Sequence, residues 1–362
     1  METGFYISTS NVEGSVRVSI EEISRFLEIV GKKGPQGGVF CEKTISLNEY
    51  INAYLRDIAV GRRVSGKGTK LSYSTVLCVR QALNKFLEYQ KARGVQLDFP
   101  DIDLKIYRDY NSFLMGQNYS INTIGKFIKK LKQVLLCAEE DGFAVNKAVK
   151  GKGFKVHQVA TDAIYLTAED LKALNDLDLS GFPSDYALAR DIFMIGVWTA
   201  QRVSDYNNLQ PGNLIRETPD SSVSAIRITQ KKTGKRVMIP CCSALQRILD
   251  KYPLNVSLPH LYEQKINNLM KEIGRLAGLD EPVEICSTKG GTVQRRCVPK
   301  WQLIQSHTAR RTGATLMYLS GMDVYDICKI TGHSSVQILE RYIKAGELET
   351  LKKMSAEYEF FR

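Results

Sequence analysis

The sequence predicts a mainly α-helical protein with a small β-sheet or hairpin, divided into two domains. Its 362 residues are enough for two domains, and the hydrophobic share of 43% is ordinary for a globular protein. Apolar residues recur at helical spacing over most of residues 45–150 and again from residue 265 onward. Between these regions, one segment rich in β-branched residues alternates as strands do, which predicts a minor β component.

Residues 1–44 contain a short helical pattern within glycine-rich sequence, and we interpret them as an N-terminal extension of unclear role. No run approaches the ~18 consecutive apolar residues of a membrane span. The first residues lack the basic-then-apolar pattern of a signal peptide. We therefore expect a cytoplasmic protein without a membrane partner.

Residues 45–150 are predicted to form a helical domain. Ser46 with Glu49 three residues later has the pattern of a capping box, and Ser72 precedes a second helical run. A further helix opens near Asn122, and its lysines lie largely off the apolar face. Such a face is either an ordinary solvated surface or one that binds phosphates, and the lack of matching acids favours the second. These lysines are Lys126, Lys129, Lys130 and Lys132.

The charge distribution also favours binding to phosphates but does not establish it. The formal net charge is +11. Residues 1–160 carry 24 Lys and Arg against 16 Asp and Glu, so most of the excess lies in the first half. This favours a polyanionic partner, although a solvated surface explains it equally well. Residues 151–162 are predicted to be a basic linker, because two glycines break the periodicity. Its Lys152 and Lys155 join the four helical lysines as candidate DNA-binding residues.

Residues 163–362 are predicted to form a second domain, which opens with a capping-box pattern at Thr167. A long apolar helix follows and ends near Arg202. Residues 223–239 are predicted to form a hairpin whose turn contains Lys232. From Lys265 to the C-terminus, most of the remaining pattern is helical.

The cysteine pattern indicates reduced thiols. The eight cysteines form no C-x-x-C pair and are not placed with histidine at zinc spacing. Reduced cysteines in or near cores are typical of cytoplasmic proteins. We therefore expect neither a disulfide framework nor a metal site.

Six polar residues in the second half provide a phenol, two guanidinium groups, two imidazoles and an amine. His307 and Arg310 are three residues apart in a helical pattern, which places them on one face. His333 follows a glycine expected to end a helix, and Tyr342 is predicted to lie on the next amphipathic helix. Each feature alone has an ordinary structural explanation, but their joint occurrence favours an active site. The six candidates are Arg202, Lys232, His307, Arg310, His333 and Tyr342.

These residue types suit the cleavage of a phosphodiester. The reaction must stabilise charge on the phosphoryl oxygens in the transition state, and the planar fork of arginine grips two such oxygens while keeping its charge. We assign this clamp to Arg202 and Arg310. A free tyrosine has a pKa near ~10, so Tyr342 needs nearby positive charge to attack at neutral pH.

These motifs resemble those of the tyrosine recombinases, also called phage-type integrases. The resemblance covers about residues 45–350 and looks closest to integrases of mobile and conjugative elements. It departs at Ala200-Gln201, where Gly-Leu is usual, and at Thr331, where Leu is usual. The sequence leaves open which of Lys231, Lys232 and Lys235 corresponds to the hairpin lysine of the family. The matching segments are Thr199–Asp205, Gln230–Gly234, His307–Thr312 and Thr331–His333 with Tyr342 nine residues later.

The resemblance implies a fold and a set of partners. Residues 45–150 would be a core-DNA-binding, SAM-like domain, and residues 163–362 a catalytic domain with a C-terminal tail, together clamping double-stranded DNA. The protein would be a monomer in solution and a homotetramer on synapsed recombination sites, with an apolar tail that docks on a neighbouring protomer. Accessory DNA-bending proteins are a further partner class, and DNA binding would place the protein at the bacterial nucleoid.

The resemblance also implies residue roles. Tyr342 would become joined to a DNA 3′-phosphate, and Lys232 would protonate the departing 5′ oxygen. His307 would act as a base or positioning group toward the tyrosine, and His333 would hydrogen-bond the phosphate. No cofactor, metal or ATP is implied, because the covalent bond retains the energy for rejoining. The implied function is integration or excision of a mobile element.

Two alternatives stay open on the residues alone. A type IB topoisomerase uses nearly the same groups to relax DNA as a monomer, although the two-domain layout and the apolar tail argue against it. A non-catalytic DNA-binding regulator could share the fold, although candidates at all six positions argue against that.

Overall fold

The computed structural model describes residues 45–66, 68–218, 222–252 and 260–357. The predicted extension, residues 1–44, and the last aromatic residues of the tail lie outside this description. Within it the chain is mainly helical with two small antiparallel sheets, which confirms the predicted fold class. No helix in these ranges is long and apolar enough to cross a bilayer.

The described residues divide into two compact units. The first comprises those up to Tyr107 together with Lys130–Phe154, and the second comprises Arg108–Lys129 together with those from Lys155 onward. The domain limits given above remain predictions.

Four helices account for most of residues 47–140. Ser46 begins the first with the predicted capping box, since its side chain accepts from the Glu49 amide and its own amide donates to the Glu49 carboxylate at 2.8 Å. Ser72, which precedes the second helical run, caps that helix by accepting a hydrogen bond from the Thr75 amide. These polar caps satisfy amides that a helix leaves unpaired at its start. The helices are α1 (Leu47–Val60), α2 (Tyr73–Arg93), α3 (Leu104–Gly116) and α4 (Ile121–Glu140).

The remaining helices follow residue 167. The predicted capping box at Thr167 is present. The helices are α5 (Ala168–Asp176), α6 (Ser184–Thr199), α7 (Val203–Tyr206), α8 (Ser243–Leu249), α9 (Glu263–Leu276), α10 (Ser306–Leu319), α11 (Val324–Thr331), α12 (Val336–Glu340) and α13 (Glu347–Glu357).

Helix α6 is the centre of the second unit's core. Its C-terminal half is buried on nearly all sides, including Phe193 and Val197. Helix α10 approaches it closely at Gly313, where an added Cβ would lie 2.1 Å from the Val197 carbonyl oxygen. Because no side chain separates the two backbones there, Arg310, one turn earlier on α10, reaches the end of α6.

The predicted hairpin is present as β2 (Ala225–Thr229) paired antiparallel with β3 (Arg236–Pro240). A short strand β1 (Leu214–Ile215), which the sequence did not predict, pairs with the other edge of β2. Inward-facing residues alternate along both main strands, so one face of this sheet packs on the core.

The expectation of a mostly helical pattern from Lys265 onward is wrong for one segment. Strands β4 (Pro282–Lys289) and β5 (Thr292–Pro299) form a second antiparallel hairpin. Its turn contains Gly290 and Gly291, both with positive φ. Two glycines between runs of β-branched residues are a hairpin signal. Charged residues within both strands hide the apolar alternation.

Candidate active site

Arg310 lies fully buried on α10, at 0% exposure. Its Nη1 donates to the Ala200 carbonyl at 3.0 Å, and its Nη2 donates to the Thr331 carbonyl at 2.9 Å and to Nε2 of His333 at 2.8 Å. None of these partners is an anion. Within the described part of the chain, its buried Nε has no hydrogen-bond partner. A desolvated cation held by neutral groups is a site prepared for an anion.

Burial and the charge of Arg202 lower the pKa of Arg310. The ordinary pKa of a guanidinium is so high that the group remains charged at neutral pH. Arg202 lies at the start of α7 and donates from Nη1 to Oε1 of Gln230 at 3.2 Å. The structure therefore brings the two candidate arginines to one place from segments more than 100 residues apart.

His333 is buried and bonded through both ring nitrogens. Its Nε2 faces Arg310, which can only donate, so Nε2 accepts and the proton resides on Nδ1. That proton is donated to Oγ1 of Thr331 at 2.8 Å. Desolvation, followed by the charges of Arg310 and Arg202, lowers the pKa of His333 to about 3. The imidazole is therefore neutral and fixed in one tautomer.

His307 is also neutral at physiological pH. It lies in the first turn of α10, and desolvation lowers its pKa to about 4 with contributions from Arg311, Arg310, Arg202 and Lys232. A neutral imidazole can accept a proton, which is the property that a base near a phenol needs.

Tyr342 lies against this cluster in the same chain. Helix α12 ends at Glu340, so the tyrosine follows the helix, whereas the sequence pattern placed it on the helix. Its ring centroid is 4.4 Å from that of His333 and 5.3 Å from that of His307. The guanidinium carbon of Arg310 lies 5.2 Å from the same ring.

The backbone around Tyr342 is held by Thr315 of α10. The Thr315 hydroxyl donates to the Tyr342 carbonyl at 3.4 Å and accepts from the Lys344 amide at 3.0 Å. The tyrosine segment is therefore tied to the helix that carries His307 and Arg310, which fixes all three relative to one another.

Lys232 lies exposed in the turn between β2 and β3. Its charge contributes to lowering the pKa of His307, whereas Lys235 of the same turn donates to the His333 carbonyl at 3.3 Å. The turn is anchored by buried Asp205, whose Oδ1 accepts from the Lys231 amide at 2.9 Å. The turn that carries both lysines therefore lies next to the two histidines, and the lysine assignment stays a prediction.

The candidate DNA-binding lysines differ in their surroundings. Lys126 and Lys129 are exposed on α4, as are Lys152 and Lys155 further on. Lys130 donates to Gln133 at 3.1 Å. Lys132 instead points to Phe154, donating to its carbonyl at 3.4 Å and lying 5.6 Å from its ring centroid. This contact gives Lys132 a packing role, and the DNA-binding assignment of all six stays a prediction.

Several residues of the site were not among the sequence candidates. Gln201 and Thr331 stood out only as departures from the family pattern, and Arg311 only as the neighbour of Arg310. The sequence does show residues that can form hydrogen bonds next to the candidate cations. That signal does not distinguish a residue buried against a cation from one exposed to solvent. The missed residues are Gln201, Asp205, Gln230, Arg311, Thr315 and Thr331.

Comparison with known families identifies the class. Residues 165–348 match the sequence model described as the phage integrase family, and residues 47–156 match that of the phage integrase SAM-like domain. The first match alone spans half of the chain, and the chain therefore belongs to the phage integrase, or tyrosine recombinase, family. A comparison with curated proteins finds no significant match.

Solved structures show the same fold at low sequence identity. A lambda integrase dimer bound to a COC′ core site is 16% identical, with a TM-score of 0.59 over 89% of this chain and 85% of that chain. A Tn1549 transposon integrase in complex with a circular intermediate DNA is 15% identical, with a TM-score of 0.60 over 87% of this chain and 100% of that chain. A lambda integrase tetramer bound to a Holliday junction is 15% identical, with a TM-score of 0.55 over 94% of this chain and 92% of that chain.

Proposed function

We propose that this protein is a site-specific DNA recombinase that cleaves and rejoins DNA through a covalent 3′-phosphotyrosine and thereby integrates or excises a mobile element. One observation carries the proposal. The Tyr342 ring lies beside two neutral imidazoles and the buried guanidinium of Arg310, whose hydrogen-bond partners among the described residues are all neutral. This is the arrangement that attack of a phenol on a phosphodiester requires.

These positions support the following cleavage step. The Tyr342 oxygen forms a bond to phosphorus while the bond from phosphorus to the 5′ oxygen breaks. His307 takes or directs the phenolic proton, and Lys232 delivers a proton to the departing 5′ oxygen. Arg202 and Arg310 bind the phosphoryl oxygens as charge develops on them. Rejoining is the reverse reaction with a new 5′-hydroxyl, so the phosphotyrosine bond conserves the energy needed.

His333 has a second role in the DNA-free arrangement. Its Nε2 accepts from Arg310, so it holds the guanidinium in place and donates its only N–H to Thr331. Donation from Nε2 to a phosphate therefore requires Arg310 to release that nitrogen and a proton to arrive there. A bound phosphate would favour both changes, because it draws the guanidinium toward itself and stabilises a positive imidazole.

We further propose double-stranded DNA as the substrate and a homotetramer as the active assembly. The fold shared with the DNA-bound lambda and Tn1549 integrases supports this proposal. Helix α13 adds an independent observation, since Glu349 accepts a hydrogen bond from the Tyr165 hydroxyl while Leu348 and Leu351 remain 74% and 60% exposed. An exposed apolar face on a helix that is bound to its own domain on another side is suited to contact with a second protomer.

The proposal is tested with a DNA substrate nicked next to the cleavage site, so that the released 5′ end diffuses away and the covalent adduct accumulates. The wild-type protein should form an adduct that maps to Tyr342 on denaturing gels. Tyr342→Phe should form at least about 10³-fold less, since removing a nucleophile leaves only residual catalysis. Tyr325→Phe is the matched control, because Tyr325 is an exposed tyrosine of the same domain, and it should behave as wild type.

Two outcomes would contradict this assignment. Full adduct formation by Tyr342→Phe would exclude Tyr342 as the nucleophile. Relaxation of a supercoiled plasmid without joining of two sites would indicate a topoisomerase rather than a recombinase.

A further inference from the structure

A buried polar chain connects the two arginines, with Gln230 at its centre. Oε1 of Gln230 accepts from Nη1 of Arg202 at 3.2 Å and from Oγ1 of Thr233 at 2.7 Å. Its Nε2 donates to Oε1 of Gln201 at 2.7 Å and to the Thr331 carbonyl at 2.8 Å. Since a side-chain amide has two donor hydrogens and two acceptor lone pairs, its capacity is fully used.

Thr331 extends this chain to the second arginine. Its carbonyl, which accepts from Gln230, also accepts from Nη2 of Arg310 at 2.9 Å. Its hydroxyl accepts from Nδ1 of His333 at 2.8 Å and donates to the Ile327 carbonyl at 2.6 Å. One residue therefore fixes both the guanidinium and the imidazole tautomer.

Gln201 ties the chain to the backbone. Its Nε2 donates to the Thr199 carbonyl at 2.9 Å and to the Ile330 carbonyl at 2.8 Å, while its Oε1 accepts from Gln230. Gln201, Gln230 and Thr331 are all buried. At two of these three positions, Gln201 and Thr331, the sequence departs from the apolar residue usual in the family. Gln201 contacts Gln230 through its side chain, whereas Thr331 contacts Gln230 through its backbone carbonyl and uses its own side chain to bind His333.

The orientation of the Gln230 amide follows from its partners. A guanidinium only donates, so the amide oxygen must face Arg202. The amide nitrogen then necessarily faces the Gln201 oxygen and the Thr331 carbonyl. Gly332 permits this packing, because an added Cβ would lie 2.4 Å from Nε2 of Gln230.

We propose that Gln230, supported by Gln201 and Thr331, is a positioning residue that holds Arg202 and Arg310 at the separation a phosphate needs before DNA arrives. This inference rests on the proposed function, which assigns both arginines to the phosphate. The half-buried Arg202 and the fully buried Arg310 repel each other, and the charge of Arg202 lowers the pKa of Arg310. A carboxylate between them would relieve the repulsion but would also cancel the charge that must bind the phosphate. A neutral amide orients Arg202 directly and Arg310 through the Thr331 carbonyl, and it leaves the charge of both available.

The test is Gln230→Leu, which keeps the volume near that of glutamine and removes all four hydrogen bonds. Adduct formation on the nicked substrate is measured as a function of DNA concentration. The rate at saturating DNA should fall about 10- to 100-fold, since a catalytic group displaced by about 1 Å costs about that much. The DNA concentration giving half the maximal rate should change less than about threefold, because binding is spread over many phosphate contacts.

Gln90→Leu is the matched control. Gln90 is an equally buried glutamine of the first unit whose amide donates to Asn48 at 2.8 Å and accepts from Leu97 at 2.9 Å. Its replacement should lower the melting temperature and leave the saturating rate unchanged. Gln201→Leu/Gln230→Leu should be little slower than Gln230→Leu, because groups that act as one unit are not additive. If Gln230→Leu fails to fold, Thr233→Val, which removes one exposed partner of Gln230, should give a smaller loss of rate.

Binding of orthovanadate to the DNA-free protein, an oxyanion that resembles phosphate, gives a readout that needs no strand cleavage. Gln230→Leu should weaken this binding about tenfold, as expected when two cations no longer act together. Wild-type rates and vanadate affinity in folded Gln230→Leu would overturn the positioning role. A wild-type protein that binds vanadate and forms no adduct would contradict the recombinase proposal alone, and the vanadate comparison would still decide the role of Gln230.

Discussion

At the scale of single residues, the site is defined by which groups are charged and which are neutral. Among the described residues, the buried Arg310 hydrogen-bonds only to neutral groups, and both histidines beside Tyr342 are kept neutral by desolvation and by neighbouring cations. The site therefore concentrates positive charge on the arginines and leaves the imidazoles able to accept protons.

The neutral histidines should make stability depend on pH in a defined window. Unfolded histidine has a pKa near ~6.5, whereas the folded pKa values are about 4 for His307 and about 3 for His333. Between these limits the unfolded chain binds protons that the folded chain does not. The histidine contribution is therefore complete above about pH 6.5 and is lost as the pH falls toward about 4 for His307 and about 3 for His333.

Urea unfolding midpoints at pH 7.5, 6.0 and 5.0 measure this effect. Replacing one of the two histidines should remove a pH-dependent part of the free energy of unfolding, on the order of 1 kcal/mol at pH 5. His307→Gln should therefore lose less stability between pH 7.5 and pH 5 than the wild type. Parallel pH curves for the two proteins would contradict the lowered pKa of His307.

At the scale of elements, close backbone packing brings the candidate residues together. Helix α10 meets the end of α6 at Gly313, and Ala200, with a positive φ of 50°, turns the chain so that its carbonyl faces Arg310. The positions of Arg202 and Arg310 thus depend on one helix crossing.

Gly313→Ala should therefore lower both stability and activity. The added methyl group would overlap the Val197 carbonyl, and forcing extra volume into a packed interface costs about 1–3 kcal/mol. We expect a lower melting temperature and a slower formation of the covalent adduct. Gly116→Ala, where an added Cβ meets no atom within 4 Å, is the control and should leave the melting temperature unchanged or raise it. An unchanged Gly313→Ala protein would show that the helix crossing tolerates the extra volume.

At the scale of the whole molecule, the chain leaves an apolar surface at its tail. Helix α13 is fixed at Tyr165 by Glu349, while Leu348 and Leu351 stay exposed. Exposed leucines on an ordered helix destabilise a free monomer little but favour association.

Leu348→Ser/Leu351→Ser should reduce assembly on DNA. Sedimentation of the protein with two recombination sites should show at least about 100-fold weaker formation of the synapsed complex, since each buried leucine contributes about 1.5–3 kcal/mol and about 1.4 kcal/mol corresponds to a factor of ten. Val293→Ser is the control, because Val293 is similarly exposed on β5. Normal assembly by the double variant would contradict a docking role for α13.

The sequence predicted the helical regions, the capping boxes and the β2–β3 hairpin because each depends on residues close together in the chain. The β4–β5 hairpin was missed because charges within both strands hide the apolar alternation. Tyr342 was placed on a helix because Leu339 and Ile343 keep helical spacing, yet the helix ends at Glu340. Local sequence patterns thus predict whether a segment forms a helix or a strand better than they predict the residue at which it ends.

The sequence by itself determined the family, because the spacing of His307 from Arg310 and of His333 from Tyr342 is a property of the chain. Only the tertiary structure decided that Gln230 links Arg202 to the carbonyl that binds Arg310, that His333 carries its proton on Nδ1, and that the tyrosine lies beside these groups in its own subunit. The physical reason is that these contacts join residues from 21 to 101 positions apart in the chain. Their hydrogen-bond partners and desolvation exist only after helices α6, α10 and α11 pack together.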